Sequence, residues 1–135
     1  MDMLLCVDIG NTNIKLGLFN GESLAARWRI STNRTLLSDE YAALLINLLN
    51  TENLHREEID GCAISSVVPS LGQEWGLLAR RYLHLEPLIV SPGLPTSMTI
   101  HTDNPSEVGP DLIVNALAAR QLYGAPVIVI GFGTA

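Results

Sequence analysis

Residues 4–15, LLCVDIGNTNIK, constrain the fold more than any other part of the chain. An apolar run over residues 4–8 ends in a carboxylate at Asp8 and breaks at Gly10-Asn11-Thr12-Asn13. A second apolar run then occupies residues 14–19. Apolar runs this short, punctuated by Gly and Asn, read as strands joined by tight turns. Asn20-Gly21, a dipeptide suited to two-residue hairpins, leads into a third strand over residues 22–30. Strands joined by turns this short pair with their sequence neighbours, so the chain is predicted to open as a three-stranded antiparallel meander.

Alternation then changes to helical spacing. Ser38 can cap a helix whose first turn carries Asp39 and Glu40. Tyr41, Leu44, Leu45, Leu48 and Leu49 give it an apolar stripe. Residues 61–68 read as a buried strand stopped by Pro69. Ser70 and Gln73 have the spacing of a capping box, with Leu71, Trp75, Leu78 and Tyr82 on one face of a second helix. Residues 88–90 form a short strand, and residues 91–109, rich in Pro, Gly, Ser and Thr, form a long excursion. Pro110 opens a third helix that Gly124 ends, and residues 127–130 read as a closing buried strand. The order predicts a mixed α/β fold.

The closing segment can be laid over the opening one. Val7 falls on Ile130, Asp8 on Gly131, Ile9 on Phe132, Gly10 on Gly133 and Asn11 on Thr134. Two such strand-and-turn units on two half-domains could clamp one nucleotide between them. An unpaired apolar strand at 127–130 would also be a template for association, which predicts a dimer or larger assembly.

Composition narrows the partner. A net charge of −6 with no Lys/Arg cluster argues against nucleic acid or an anionic membrane. A small molecule is the more natural ligand. No apolar stretch is long enough to span a bilayer, and the first one is too short and lacks the basic flank of a signal peptide. Cys6 and Cys62 lie in strand-like runs without metal-ligand spacing, as expected of buried free thiols in a reducing cytoplasm. His55, His84 and His101 are scattered and have no metal spacing.

Two places can carry chemistry. The turn around Asp8, Gly10, Asn11, Thr12, Asn13 and Lys15 can aim backbone N–H groups at a phosphate, with Asp8 orienting Mg²⁺ and Lys15 neutralising charge. The same residues also suit an ordinary polar turn. Asp111 lies in the first turn of the third helix, where the dipole alone favours an acid. It could equally be a general base, with Gly109 admitting a substrate close to the backbone.

Four motifs in this order, DIGNTNIKLGLF, ISSVVPSL, DNPSEVGPDLIVNALAA and GFGTA, together resemble the type III pantothenate kinase family along the whole chain. The resemblance implies an acetate-and-sugar-kinase, actin-like fold of two ribonuclease-H-like halves with the active site between them. Residues 1–109 would be the first, nucleotide-binding domain, and residues 110–135 the start of the second. It also implies ATP-dependent phosphorylation of the primary hydroxyl of pantothenate toward coenzyme A, by a homodimer needing Mg²⁺ and K⁺ or NH₄⁺. By this resemblance Asp8, Ile9, Gly10, Asn11, Thr12, Asn13, Ile14 and Lys15 form the first phosphate motif, and Thr134 belongs to the second. Thr102, Gly109, Pro110, Asp111 and Leu112 take substrate positions, Asp111 as proton acceptor.

Three positions depart from the family pattern. Leu112 replaces an Arg that would partner the pantothenate carboxylate. Gly131 replaces the Asp that holds the monovalent cation, and Thr102 replaces a substrate-contacting Tyr. Family members also continue for about another hundred residues, the size of a second half-domain. Two readings follow. The chain is the amino-terminal part of such a kinase, inactive alone, or it is a non-catalytic nucleotide-binding or dimerisation module of the same fold.

Overall fold

A computed structural model describes residues 2–133. Its elements are β1 (Met3–Ile9), β2 (Asn13–Asn20), β3 (Ser23–Ser31), α1 (Ser38–Thr51), β4 (Ile59–Ser66), α2 (Pro69–Tyr82), β5 (Leu88–Ile89) and α3 (Pro110–Tyr123). The strands form one sheet in the order β3-β2-β1-β4-β5. β1 is antiparallel to β2 and parallel to β4, and β5 continues the parallel side. The meander therefore forms as predicted. The two crossovers through α1 and α2 then add β4 and β5 on the far side of β1. This is the layout of a ribonuclease-H-like half.

Alternation along the strands fixes which face is dry. Met3, Leu5, Val7 and Ile9 of β1 are buried, together with Ile14, Leu16 and Leu18 of β2. They meet Tyr41, Ala42, Leu45 and Leu49 of α1 and Leu71, Trp75, Leu78 and Ala79 of α2 in one cluster. Each such large side chain contributes about 1.5–3 kcal/mol by leaving water. The Tyr41 and Trp75 rings sit 5.2 Å apart, and the Tyr41 hydroxyl donates to the Asn33 carbonyl at 2.7 Å. That second contact ties the β3–α1 loop to the core.

The other face carries the polar residues of the same strands, with Asp8 of β1 opposite Lys15 of β2 and Ser65 of β4. α3 approaches this face at β4. Its Ile113 is buried, but apart from the main core. Pro110 takes the first helical position of α3, and Gly124, at φ +80°, takes its end, as the sequence predicts. Arg120 of α3 donates to the Ser97 carbonyl at 3.1 Å and so pins the excursion to the helix.

Several local expectations are corrected. The residues at the tip of the β2–β3 hairpin are Gly21 and Glu22, because Asn20 still pairs with Ser23. Gly21, at φ +59°, supplies the left-handed conformation that the turn needs. Ser38 is inside α1 rather than its cap. Leu37 precedes the helix, and its N–H is held by the Glu40 carboxylate at 2.9 Å, while the Ser38 N–H goes to Glu74 of α2 at 2.7 Å. Ser70 does not cap α2, which starts at Pro69 after Val68. Cys6 is only half-buried.

The largest correction concerns residues 127–130. They form no strand, and Ile128, Ile130 and Phe132 are 90%, 73% and 97% exposed. The expected pairing edge at this segment is absent, because no strand among the described residues lies beside it.

Candidate functional site

The site begins with the β1–β2 turn. Gly10 N–H donates to the Asn13 carbonyl at 2.9 Å and closes the turn. A Cβ at Gly10 would lie 3.0 Å from that same oxygen, so a side chain there would push the Asn13 carbonyl outward and loosen the turn. The β3–α1 loop braces the turn from outside. Thr32 donates its N–H to the Thr12 carbonyl at 2.9 Å and its hydroxyl to the Gly10 carbonyl at 2.8 Å. Arg34 Nη2 donates to Asn11 Oδ1 at 2.9 Å.

Register then aligns four polar side chains in one row across the sheet: Arg29, Lys15, Asp8 and Ser65. Lys15 and Arg29 are exposed and Asp8 is half-buried. Burial raises the Asp8 pKa above its ordinary value. The Lys15 ammonium opposes that rise and the Asp111 carboxylate adds to it. Residues 103 positions apart in sequence thus share one electrostatic environment, which the order of motifs could not establish. Asp111 sits in the first turn of α3 and folds back over Gly109. A Cβ at Gly109 would come within 2.6 Å of Asp111 Oδ1, so a larger residue there would make the Asp111 carboxylate turn away from this position.

The remaining candidates fall in different places. Ile9 and Ile14 are fully buried, so any part they play at a ligand falls to their backbone. Asn11 and Thr12 are exposed at the turn, and Asn13 is half-buried. Pro110 starts α3 beside Asp111. Leu112 is 57% exposed, and Thr102 is exposed within the excursion. Gly131 is exposed and lies outside any strand. Thr134 lies outside the described residues.

Sequence reasoning missed three residues here. Thr32 and Arg34 reach the turn through tertiary contacts that leave no motif. Ser65 is 5% exposed, with its Oγ buried and unpaired among the described residues. Its signal was available, since the carboxyl ends of neighbouring parallel strands are where α/β sheets place ligands. Aligning β1 with β4 would have set Ser65 beside Asp8.

Among the described residues no cluster of three or more His, Cys, Asp or Glu could hold a metal ion. The half-buried Asp8 carboxylate alone suits Mg²⁺, which can be held by one carboxylate together with substrate phosphates. Gly131 offers a cation no side-chain oxygen.

A family model described as type III pantothenate kinase matches residues 4–135. The chain belongs to the type III pantothenate kinase family. It is 52% identical over 133 residues to a type III pantothenate kinase of Roseiflexus sp. (strain RS-1), covering 98% of this chain and 52% of that protein. The corresponding protein of Roseiflexus castenholzii is 50% identical over the same span. The chain spans about half the length of these curated relatives. Among solved structures, YeaZ from Pseudomonas aeruginosa aligns with a TM-score of 0.55 at 16% identity, over 93% of this chain and 51% of that one. That likeness extends to the fold, the actin-like ribonuclease-H-like half already evident in the strand order.

Proposed function

We propose that the chain supplies the ATP- and pantothenate-facing residues of a pantothenate kinase. The observation that supports this best is the meeting of Asp8, Lys15 and Asp111 at one sheet end, with Asp111 close enough to raise the Asp8 pKa. Backbone N–H groups of the Gly10–Asn13 turn bind phosphate oxygens, and Lys15 neutralises their charge. Asp8 would hold Mg²⁺, which would supply positive charge against the phosphates. Asp111 accepts the proton of the pantothenate hydroxyl as its oxygen bonds to the γ-phosphorus and ADP leaves. Gly109 leaves room for the substrate beside that carboxylate.

By this reading residues 1–109 are the nucleotide-binding domain and residues 110–135 open the second. The protein works in the cytoplasm as a homodimer. K⁺ or NH₄⁺ would be the monovalent cation, as the family resemblance implies. Leu112 and Gly131 favour a second reading, a nucleotide-binding or dimerisation module without turnover, because each lacks a side chain that the substrate or cation would need.

One set of measurements separates the two. Calorimetric titration of the chain with ATP and Mg²⁺ is expected to show binding that weakens at least about tenfold in Asp8→Ala. No binding overturns the first reading and the nucleotide-binding form of the second, leaving only a dimerisation module. The chain by itself is expected to show no turnover of ATP and pantothenate; fused to the carboxy-terminal half of the Roseiflexus sp. relative, it is expected to turn over, and that turnover to fall by about 10²–10⁴ in Asp111→Asn. Unchanged turnover of that fusion in Asp111→Asn removes Asp111 from the mechanism, and nucleotide binding by the chain with no turnover in the fusion supports the second reading.

A further inference from the structure

The arginines of this chain differ in how they spend their charge. Arg56 pairs with Glu57, Arg80 with Glu86 and Arg81 with Asp39, all at 2.7–3.0 Å. Arg34 makes no such pair among the described residues. Its guanidinium reaches across from the β3–α1 loop and donates one hydrogen bond to the neutral side-chain oxygen of Asn11, in the middle of the phosphate turn.

The position is built. Thr32, two residues earlier, is bonded to Gly10 and Thr12 of the same turn, and Asn33 between them is held by the buried Tyr41 hydroxyl through both its N–H at 3.2 Å and its carbonyl at 2.7 Å. These bonds fix the backbone from which Arg34 projects, and the bond to Asn11 directs its guanidinium to the turn. Guanidinium also presents five donors in a planar fork, of which Asn11 takes one. An uncompensated fork beside a turn of backbone N–H groups is suited to phosphate oxygens.

We propose that Arg34 is a phosphate-contacting residue, which binds the polyphosphate of the nucleotide together with Lys15 and the Gly10–Asn13 turn. This rests on the reading of that turn as the phosphate site. It goes further in making recognition depend on the number of phosphates, because a fixed positive charge gains more from a triphosphate than from a monophosphate.

The test is titration of the chain with ATP, ADP and AMP at fixed Mg²⁺ and ionic strength. Arg34→Gln is expected to weaken ATP about tenfold, ADP less and AMP least, and to flatten the salt dependence of ATP binding. Arg34→Lys keeps the charge and recovers part of the loss. Thr32→Val removes only the brace, so it weakens all three nucleotides alike. Arg34 is exposed, so these variants should melt with the parent. Equal losses for the three nucleotides in Arg34→Gln reduce Arg34 to a brace and overturn the proposal. So does unchanged binding in that variant while Asp8→Ala still loses ATP. If the parent binds none of the three, the phosphate-site reading itself fails and the proposal falls with it.

Discussion

Residues 4–13 and 127–133 are near-copies as patterns, an apolar run delivered into a Gly-containing turn, yet they have opposite fates. The first is the central strand of the sheet, with β2 bonded on one side and β4 on the other, and with Leu5 and Ile9 fully buried. The second has no ladder, and its Ile128 is 90% exposed. An apolar β-branched run is therefore competent to be a strand, but what makes it one is neighbours that take its N–H and C=O groups. Chemistry follows the same division. Asp8 gains Lys15, Ser65 and Asp111 from the strands and helix around it, while Gly131 gains nothing.

The sharpest way to break this comparison is truncation in each segment. Leu5→Ala is expected to cost about 2–5 kcal/mol of unfolding free energy, because it opens a cavity in the core. Ile128→Ala is expected to stay within about 0.5 kcal/mol of the parent. Urea denaturation of the chain reads both, and comparable losses would mean that 127–130 is packed after all.

A smaller effect sharpens the polar end of β1. The Ser65 hydroxyl is buried without a partner, so Ser65→Ala should be neutral or stabilising by up to about 1 kcal/mol. A clear loss in the same urea measurement would show that Ser65 has a hydrogen bond in solution, with Asp8 the nearest candidate along the register.

The smallest effect is the pH dependence that β1 owes to Asp8. Its folded pKa is raised above the ordinary 3.8, by burial first and by Asp111 as well. Below 3.8 the carboxyl is protonated in both folded and unfolded chains and costs nothing. As pH rises from 3.8 through the raised value, the unfolded chain releases the proton more readily, so the penalty on folding grows until both states are ionised and is constant above that. Asp8→Asn lacks this penalty. Its stability advantage over the parent should be absent near pH 3, grow through that window and stay level toward pH 7. Midpoints of urea unfolding measured at several pH values check this, and an advantage that shrinks with pH would reverse the assignment.

How much of this was legible follows from the range of each interaction. The meander, α1, α2 and α3 were readable because period and punctuation are local. Tyr41, Leu45 and Leu49 recur at helical spacing, and Pro110 and Gly124 bracket α3. The caps were misplaced because Leu37, with its N–H held by Glu40, and Ser38, bonded to Glu74 of another helix, satisfy their backbone in ways that the presence of a Ser does not reveal. At the site, Asp8, Lys15 and Asp111 were found as residue types, Asp8 and Lys15 through the turn. Thr32, Arg34 and Ser65 were not, since each belongs to the site only by position in space.

Sequence by itself determined that Asp8 ends an apolar strand before a glycine turn, that Lys15 begins the next, and that Asp111 opens a helix behind Gly109. It also placed the chain beside the pantothenate kinases through the order of its motifs. Only the tertiary structure decided that β1 lies between β2 and β4, which sets Lys15 and Ser65 on either side of Asp8. It also brought the Asp111 carboxylate into the field of Asp8 and left residues 127–130 without a ladder. The physical reason is the reach of the forces: turn geometry and side-chain period act within a few residues, whereas burial, register and charge act between whatever residues folding makes neighbours.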